Sequence, residues 1–277
     1  MRFVSAEKLG LLGLALALCA GCGAPLPAET AAVEDTIPQF SEDYTDAVVW
    51  HIVGKDLDLE AIDSYPQKIT NLEEQRGGWI SFDLQIKNLP YVGLDPVPID
   101  GQEYPDAVKA YLEPSEKVSW DGEEIQAFFS RIKGDNVLIY AGNAARLIGR
   151  TLTYDTGLAQ EITEGSSDTV NAEEALARGK GTCSEYTNLF LAAMRSRGIP
   201  ARMESGFSMG RDGMHYSFHA WAEFYLNGYG WIPADAQVGH VGIPDSYIRL
   251  EQGLDFADMG KKLRDYQVMA TAGAQTN

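Results

Sequence analysis

The sequence predicts an α+β fold: a cysteine-bearing helix packed on an antiparallel sheet, preceded by a small β-rich segment. Three observations lead to it. Short apolar or alternating runs dominate residues 46–108, helical spacing takes over after about residue 115, and strand-like runs return beyond Pro200.

The N-terminus reads as an export signal of lipoprotein type over 1–21. Arg2 and Lys8 precede the apolar run "LGLLGLALALCA", which is too short for a membrane span of about 20 residues. It ends in "LCAGCG", where small Ala20 and Gly21 precede Cys22, the expected site of lipidation. Cys19 stands where such boxes usually carry Leu. Residues 22–45 are rich in Ala, Pro, Glu and Thr without apolar period, the composition of a flexible tether. An exported protein anchored by lipid in a bacterial cell envelope, with its body outside the cytoplasm, is the expected location.

In the 46–108 region, "AVVWHIVG" and "GGWISFDLQIKNL" read as strands, and "DLDLEAID" as a solvated strand face. "DGEEIQAFFSRIKG" and "NVLIYAGNAARLIGRTLTY" carry helical spacing. "SSDTVNAEEALARGKG" reads as a short helix with Asn171 and Glu174 in a capping arrangement and Gly179 as its stop. "TCSEYTNLFLAAMRSRGIP" is the clearest helix. Its buried face is Tyr186, Leu189, Phe190, Ala193 and Met194, and it ends at Gly198 and Pro200. "ARMESGFSM", "HYSFHAWAEFYL" and "GWIPADAQV" follow as strands, the last two joined around "NGYG". Residues 263–277 read as a C-terminal tail.

The formal net charge of −18 over 277 residues opposes binding to nucleic-acid phosphates, and no basic stripe offsets it. If Cys22 is lipidated and Cys19 removed with the signal, Cys183 has no partner for a disulfide. A lone thiol in an exported protein needs a reason.

Cys183 falls in the first turn of its helix, where unpaired N–H groups and the macrodipole favour a thiolate and can receive an oxyanion. A nucleophilic thiol needs a base and a group to orient it. Along "SFHAWAEFYL", His219, Trp221, Glu223 and Tyr225 share one face, while Phe218, Ala220, Ala222, Phe224 and Leu226 share the other. Whether Asp235 reaches His219 depends on register. A hairpin loop of two or four residues puts them on opposite faces. A loop of three or five makes them diagonal neighbours, roughly 7–8 Å apart at the backbone and within reach of a hydrogen bond. An odd loop, or a compensating bulge, is therefore expected.

A zinc site from Cys183, His215, His219 and Asp235 is disfavoured, because the His-x3-His spacing suits a helix and this stretch reads as strand. "GKGT" lacks the glycine and the Lys-Ser/Thr ending of a P-loop. His51, His215 and His240 read as structural or solvated, with His215 a possible wall of the cleft. No cofactor or metal is expected, and nothing indicates an oligomeric state.

"ALARGKGTCSEYTNLFLAAMRSRGIPAR", "HAWAEFY" and "GWIPADA", in this order, resemble the three motifs of the transglutaminase-like superfamily, over about residues 110–245. "DAQ" stands where Asp-Pro-Thr is common, leaving the aspartate intact. The resemblance implies a papain-like core in a domain spanning 109–262. By position it implies a catalytic triad of Cys183 as nucleophile, His219 as base and Asp235 as orienter. Tyr154 is the candidate aromatic oxyanion donor. The implied activity is that of a transglutaminase-like cysteine protease, amidase or acyltransferase: a thiol-dependent amide hydrolase or acyl transferase acting on peptides or proteins through an acyl-enzyme. The alternative is a non-catalytic surface module that binds peptide or cell-wall polymer in the same cleft.

Overall fold

Alternation builds the N-terminal part. In β1 (Val48–Lys55) the side chains of Trp50 and Ile52 are buried, and in β3 (Trp79–Ile86) those of Phe82, Leu84 and Ile86. Antiparallel pairing sets Trp50 against Leu84 and Ile52 against Phe82, so the apolar faces coincide. The computed structural model describes residues 43–87, 93–210, 216–259 and 267–273. The lipobox with Cys19 and Cys22, most of the expected tether, and His215 lie outside the described residues.

After β1 the chain makes a short helix, α1 (Leu59–Ile62), then β2 (Gln67–Glu74) and β3. The "DLDLEAID" stretch is thus a capped helical turn and not the solvated strand face expected of it. Asp58 accepts from the Ala61 N–H at 3.1 Å, and Ala61 and Ile62 are buried. Local capping outweighs a two-residue alternation in so short a stretch.

Next come α2 (Asp106–Lys109), α3 (Glu123–Phe129), α4 (Val137–Thr151), β4 (Thr153–Tyr154), α5 (Thr156–Glu164), α6 (Ala172–Arg178), β5 (Lys180–Gly181) and α7 (Cys183–Arg195). Asn136 caps α4 and Asn171 caps α6; Gly179 ends α6 in the left-handed conformation at φ 64°. Helix α5 was not foreseen. Asp155 caps it and Gly165 closes it, but Leu158 is its one buried residue, too little apolar pattern to show in the sequence.

The chain then forms β6 (Ala201–Met209), β7 (Tyr216–Leu226), β8 (Gly230–Asp235), β9 (His240–Val241), β10 (Tyr247–Gly253) and β11 (Gln267–Ala272). Among the described residues the strands form a four-stranded antiparallel sheet, β11-β1-β3-β2, and a five-stranded antiparallel sheet, β10-β6-β7-β8-β9. A parallel two-stranded ladder joins β4 to β5. Part of the expected C-terminal tail is therefore a strand. Val268 and Ala270 turn inward beside β1, while Met269 turns outward.

Both faces of the five-stranded sheet are covered. On one side Ala144, Ile148, Leu189, Phe190 and Met194 pack with Met203, Ala222, Phe224 and Ile232. Where the two sheets meet, Trp50, Ile52, Phe82 and Leu84 of the four-stranded sheet share a second core with Phe207, Ile248 and Leu250. Gln67 and Ile86 lie beside Trp221 and Glu223 on the other face. Helix α7 is buried on every side, not along one stripe, because α4, α6 and the sheet surround it. Its polar groups bond inward: Thr187 Oγ1 donates to the Cys183 carbonyl at 2.8 Å, and Arg195 Nε to the Ala201 carbonyl at 2.9 Å.

Candidate active site

Cys183 is the first residue of α7, and the turn that starts the helix is fixed from two directions. Glu185, fully buried, reaches back to accept from the Thr182 N–H and hydroxyl, both at 2.7 Å. Its other oxygen accepts from the Val170 N–H at 2.9 Å, tying in the loop after α5. Gly181 is required beside this carboxylate, since a Cβ there would lie 2.4 Å from the Glu185 Cβ. The β4–β5 ladder pairs Tyr154 with Gly181 and so brings that tyrosine close to the thiol.

The base reaches the site from β7. Leu226 pairs with Gly230, leaving a three-residue hairpin loop, the odd register that the Asp–His contact requires. His219 Nε2 lies 2.7 Å from Asp235 Oδ2, and the Cys183 side chain lies near enough to the ring to act on its charge. With Nε2 held by the carboxylate, Nδ1 is the nitrogen left for the thiol. Cys183 is 8% exposed and His219 8%, so the pair is shielded yet reachable.

Burial pushes the His219 imidazolium down, but the hydrogen bonds and charges of Asp235 and Cys183 outweigh it and raise the group to about 10. Burial likewise pushes Asp235 up. The hydrogen bond and charge of His219, the Tyr247 hydroxyl and the Gln237 N–H reverse this, holding the carboxyl below its ordinary range. The Gln237 N–H donates to Asp235 Oδ1 at 2.9 Å.

Two aromatic rings hold the imidazole. Trp221 stacks beside it with centroids 6.2 Å apart, and Tyr247 meets it edge-on at 5.3 Å. Sequence reasoning missed Tyr247, which arrives from β10 with its hydroxyl 2.8 Å from Asp235 Oδ2. No motif marks it, since only the pairing of β10 with β6 brings it there. It also missed Glu185, although the Thr-x-x-Glu spacing at the start of α7 was available to find it.

The structure therefore brings Cys183, His219 and Asp235 together, with His219 bonded to Asp235 and Cys183 close to its ring. Tyr154 is 42% exposed and lines the same cavity as Cys183. Burial first, then the nearby Cys183 charge, pushes its phenol up. Of the other histidines, His51 is exposed and pairs with Asp83 at 3.0 Å, and His240 is exposed. Among the described residues no helix is long and apolar enough to cross a membrane.

Residues 139–236 match the family model described as Transglutaminase-like superfamily. A solved structure from Cytophaga hutchinsonii, described provisionally as a cysteine protease, superimposes with a TM-score of 0.51 at 16% identity. It covers 82% of this chain and 85% of its own, a likeness of fold. The periplasmic domain of TgpA from Pseudomonas aeruginosa aligns more loosely, with a TM-score of 0.38 at 13% identity over 62% of each chain. An uncharacterized protein of Haemophilus influenzae is 31% identical over 88 residues, a match spanning 24% of each chain. Over residues 139–236 the chain is thus similar to the transglutaminase-like superfamily.

Proposed function

We propose that this protein is a thiol-dependent amide hydrolase or acyl transferase acting on peptides or proteins. The observation that carries the reading is the His219 ring, hydrogen-bonded to Asp235 with the Cys183 side chain beside it. Cys183 attacks as the thiolate, its proton held on the His219 imidazole, and sulfur bonds to the amide carbonyl carbon. The tetrahedral oxyanion forms against the backbone N–H of Cys183, with the Tyr154 hydroxyl as a second donor. The imidazolium then protonates the leaving nitrogen, the C–N bond breaks, and an acyl-enzyme remains. Water or an amine attacks the thioester with His219 again as base, releasing acid or transferred amide. We further propose that the protein works outside the cytoplasm, held to the membrane by lipid on Cys22.

Mass spectrometry of Cys183 after incubation with candidate peptides and cell-envelope extract tests the chemistry. An acyl mass on Cys183, absent from Cys183→Ser and His219→Ala, supports it. No adduct on a demonstrably reactive thiol would favour a binding-only module.

A further inference from the structure

A cavity of about 160 Å³ opens beside Cys183, and its walls are mostly apolar. Ala159, Ile162 and Thr163 of α5 stand at i, i+3 and i+4, forming one stripe that faces it. Phe218, Phe256 and Tyr154 supply the remaining hydrophobic wall, and Asp168 stands among its polar lining. A void of about 150 Å³ with apolar walls is large enough to hold a benzene ring.

The position of this cavity decides which half of a substrate it serves. Its lining includes Cys183, Thr182 and Ser184 at the start of α7, but none of His219, Asp235 or Trp221. The imidazole must face the leaving nitrogen in order to protonate it. The cavity is walled on the Cys183 side and not by the imidazole, although Phe218 beside it contributes, and on that lining it is assigned to the group that stays on sulfur. We infer that α5 forms an acyl-side specificity pocket, which selects donors carrying an aliphatic or aromatic side chain of about leucine to phenylalanine size near the reacting carbonyl. Acidic acyl groups are disfavoured by Asp168. The inference rests on the thiol reading of Cys183 and adds a substrate class to it.

p-Nitrophenyl esters test it directly. Sulfur bonds to the acyl carbon, the ester C–O bond breaks, and nitrophenolate leaves with the electron pair as a visible burst. Burst rates for acetyl, isovaleryl, 3-phenylpropionyl and succinyl esters are each divided by the rate of the same ester with N-acetylcysteine. The normalised 3-phenylpropionyl rate should exceed the acetyl rate by roughly 10- to 100-fold, and succinyl should be poorest. Ile162→Asp and Thr163→Trp should each bring the phenylpropionyl-to-acetyl ratio within about twofold of unity. A ratio is unaffected by any loss of folded enzyme, and Thr163 is exposed enough to accept the larger ring. A burst of equal normalised rate for all esters, or a preference untouched by both variants, overturns the pocket and leaves the nucleophile intact. No Cys183-dependent burst from any ester overturns both.

Discussion

The Tyr247 hydroxyl donates to Oδ2 of Asp235 at 2.8 Å, the same oxygen that lies 2.7 Å from His219 Nε2. One carboxylate oxygen thus joins β7, β8 and β10, and the base is oriented by two strands besides its own. Burial and the Asp235 charge push the Tyr247 phenol up, so it remains a donor across the working range.

Tyr247→Phe keeps the ring against His219 and Trp221 but removes this donor. The Asp235 carboxyl loses one of the groups that hold it low, so its titration moves upward. The acid limb of Cys183 alkylation by iodoacetamide should shift to higher pH. Acylation should fall about tenfold, equivalent to about 1.4 kcal/mol. A purely structural tyrosine would lower stability without moving the pH profile.

His219 makes stability fall on the alkaline side. Its folded value of about 10 lies above an ordinary value of about 6.5, so the native state binds the proton more tightly than the unfolded chain. The contribution is full below about pH 6.5 and is lost as pH rises toward 10. Urea midpoints measured across this window should decline in the wild type and flatten in His219→Ala. Cys183→Ala removes one of the two partners that raise His219, so its decline should begin at the same pH but end at lower pH and be smaller.

Beneath the site, on the face shared with His219 and Trp221, lies a buried layer of two arginines and two glutamates. Glu204 sits between Arg202 Nε at 3.0 Å and Arg249 Nε at 3.2 Å. Glu223 accepts from Arg202 Nη2 at 2.7 Å and lies 3.4 Å from Arg249 Nη1. Burial and the Glu223 charge push Glu204 well up; Glu223 is also pushed up by burial, but Arg202 and Arg249 hold it low. Glu204 is therefore the carboxyl that holds the proton more readily. Glu204→Gln, an isosteric change, should cost under about 1.5 kcal/mol. Glu223→Gln strips the charge that pairs both guanidinium groups and should cost about 3–5 kcal/mol. Urea unfolding of the two variants decides; equal losses would refute the division of charge between them.

The Cys183, His219 and Asp235 alignment was legible because each step is local or periodic. A capped helix start places the thiol, strand alternation selects the face of His219, and loop parity fixes the reach of Asp235. The remainder depends on segments that meet only in the folded chain. Tyr247 lies 28 residues after His219 on a different strand, and β11 returns from the far end of the chain to pair with β1. The second buried face of the sheet was hidden for the same reason. Alternation showed that His219 and Glu223 share a face, and nothing in the sequence showed that Gln67 and Ile86 of the four-stranded sheet adjoin it.

Two glycines give opposite expectations from the same substitution. Gly206 pairs with His219 across β6 and β7, and with Arg249 across β6 and β10. A Cβ there would lie 1.9 Å from the Ile248 carbonyl oxygen and 3.0 Å from the Leu250 nitrogen, both backbone atoms held in the sheet. Gly206→Ala can be accommodated only by prising β10 from β6, which also draws Tyr247 away from Asp235. It should cost about 3 kcal/mol or more and reduce Cys183 acylation in the fraction that still folds. Gly142, inside α4, meets nothing nearer than the Arg146 guanidinium at 3.5 Å. Gly142→Ala should instead stabilise by about 0.5–1 kcal/mol, since alanine loses less backbone freedom in a helix. Urea midpoints moving in opposite directions would support both readings of the backbone; a neutral Gly206→Ala would mean that β10 is not held against β6 this closely.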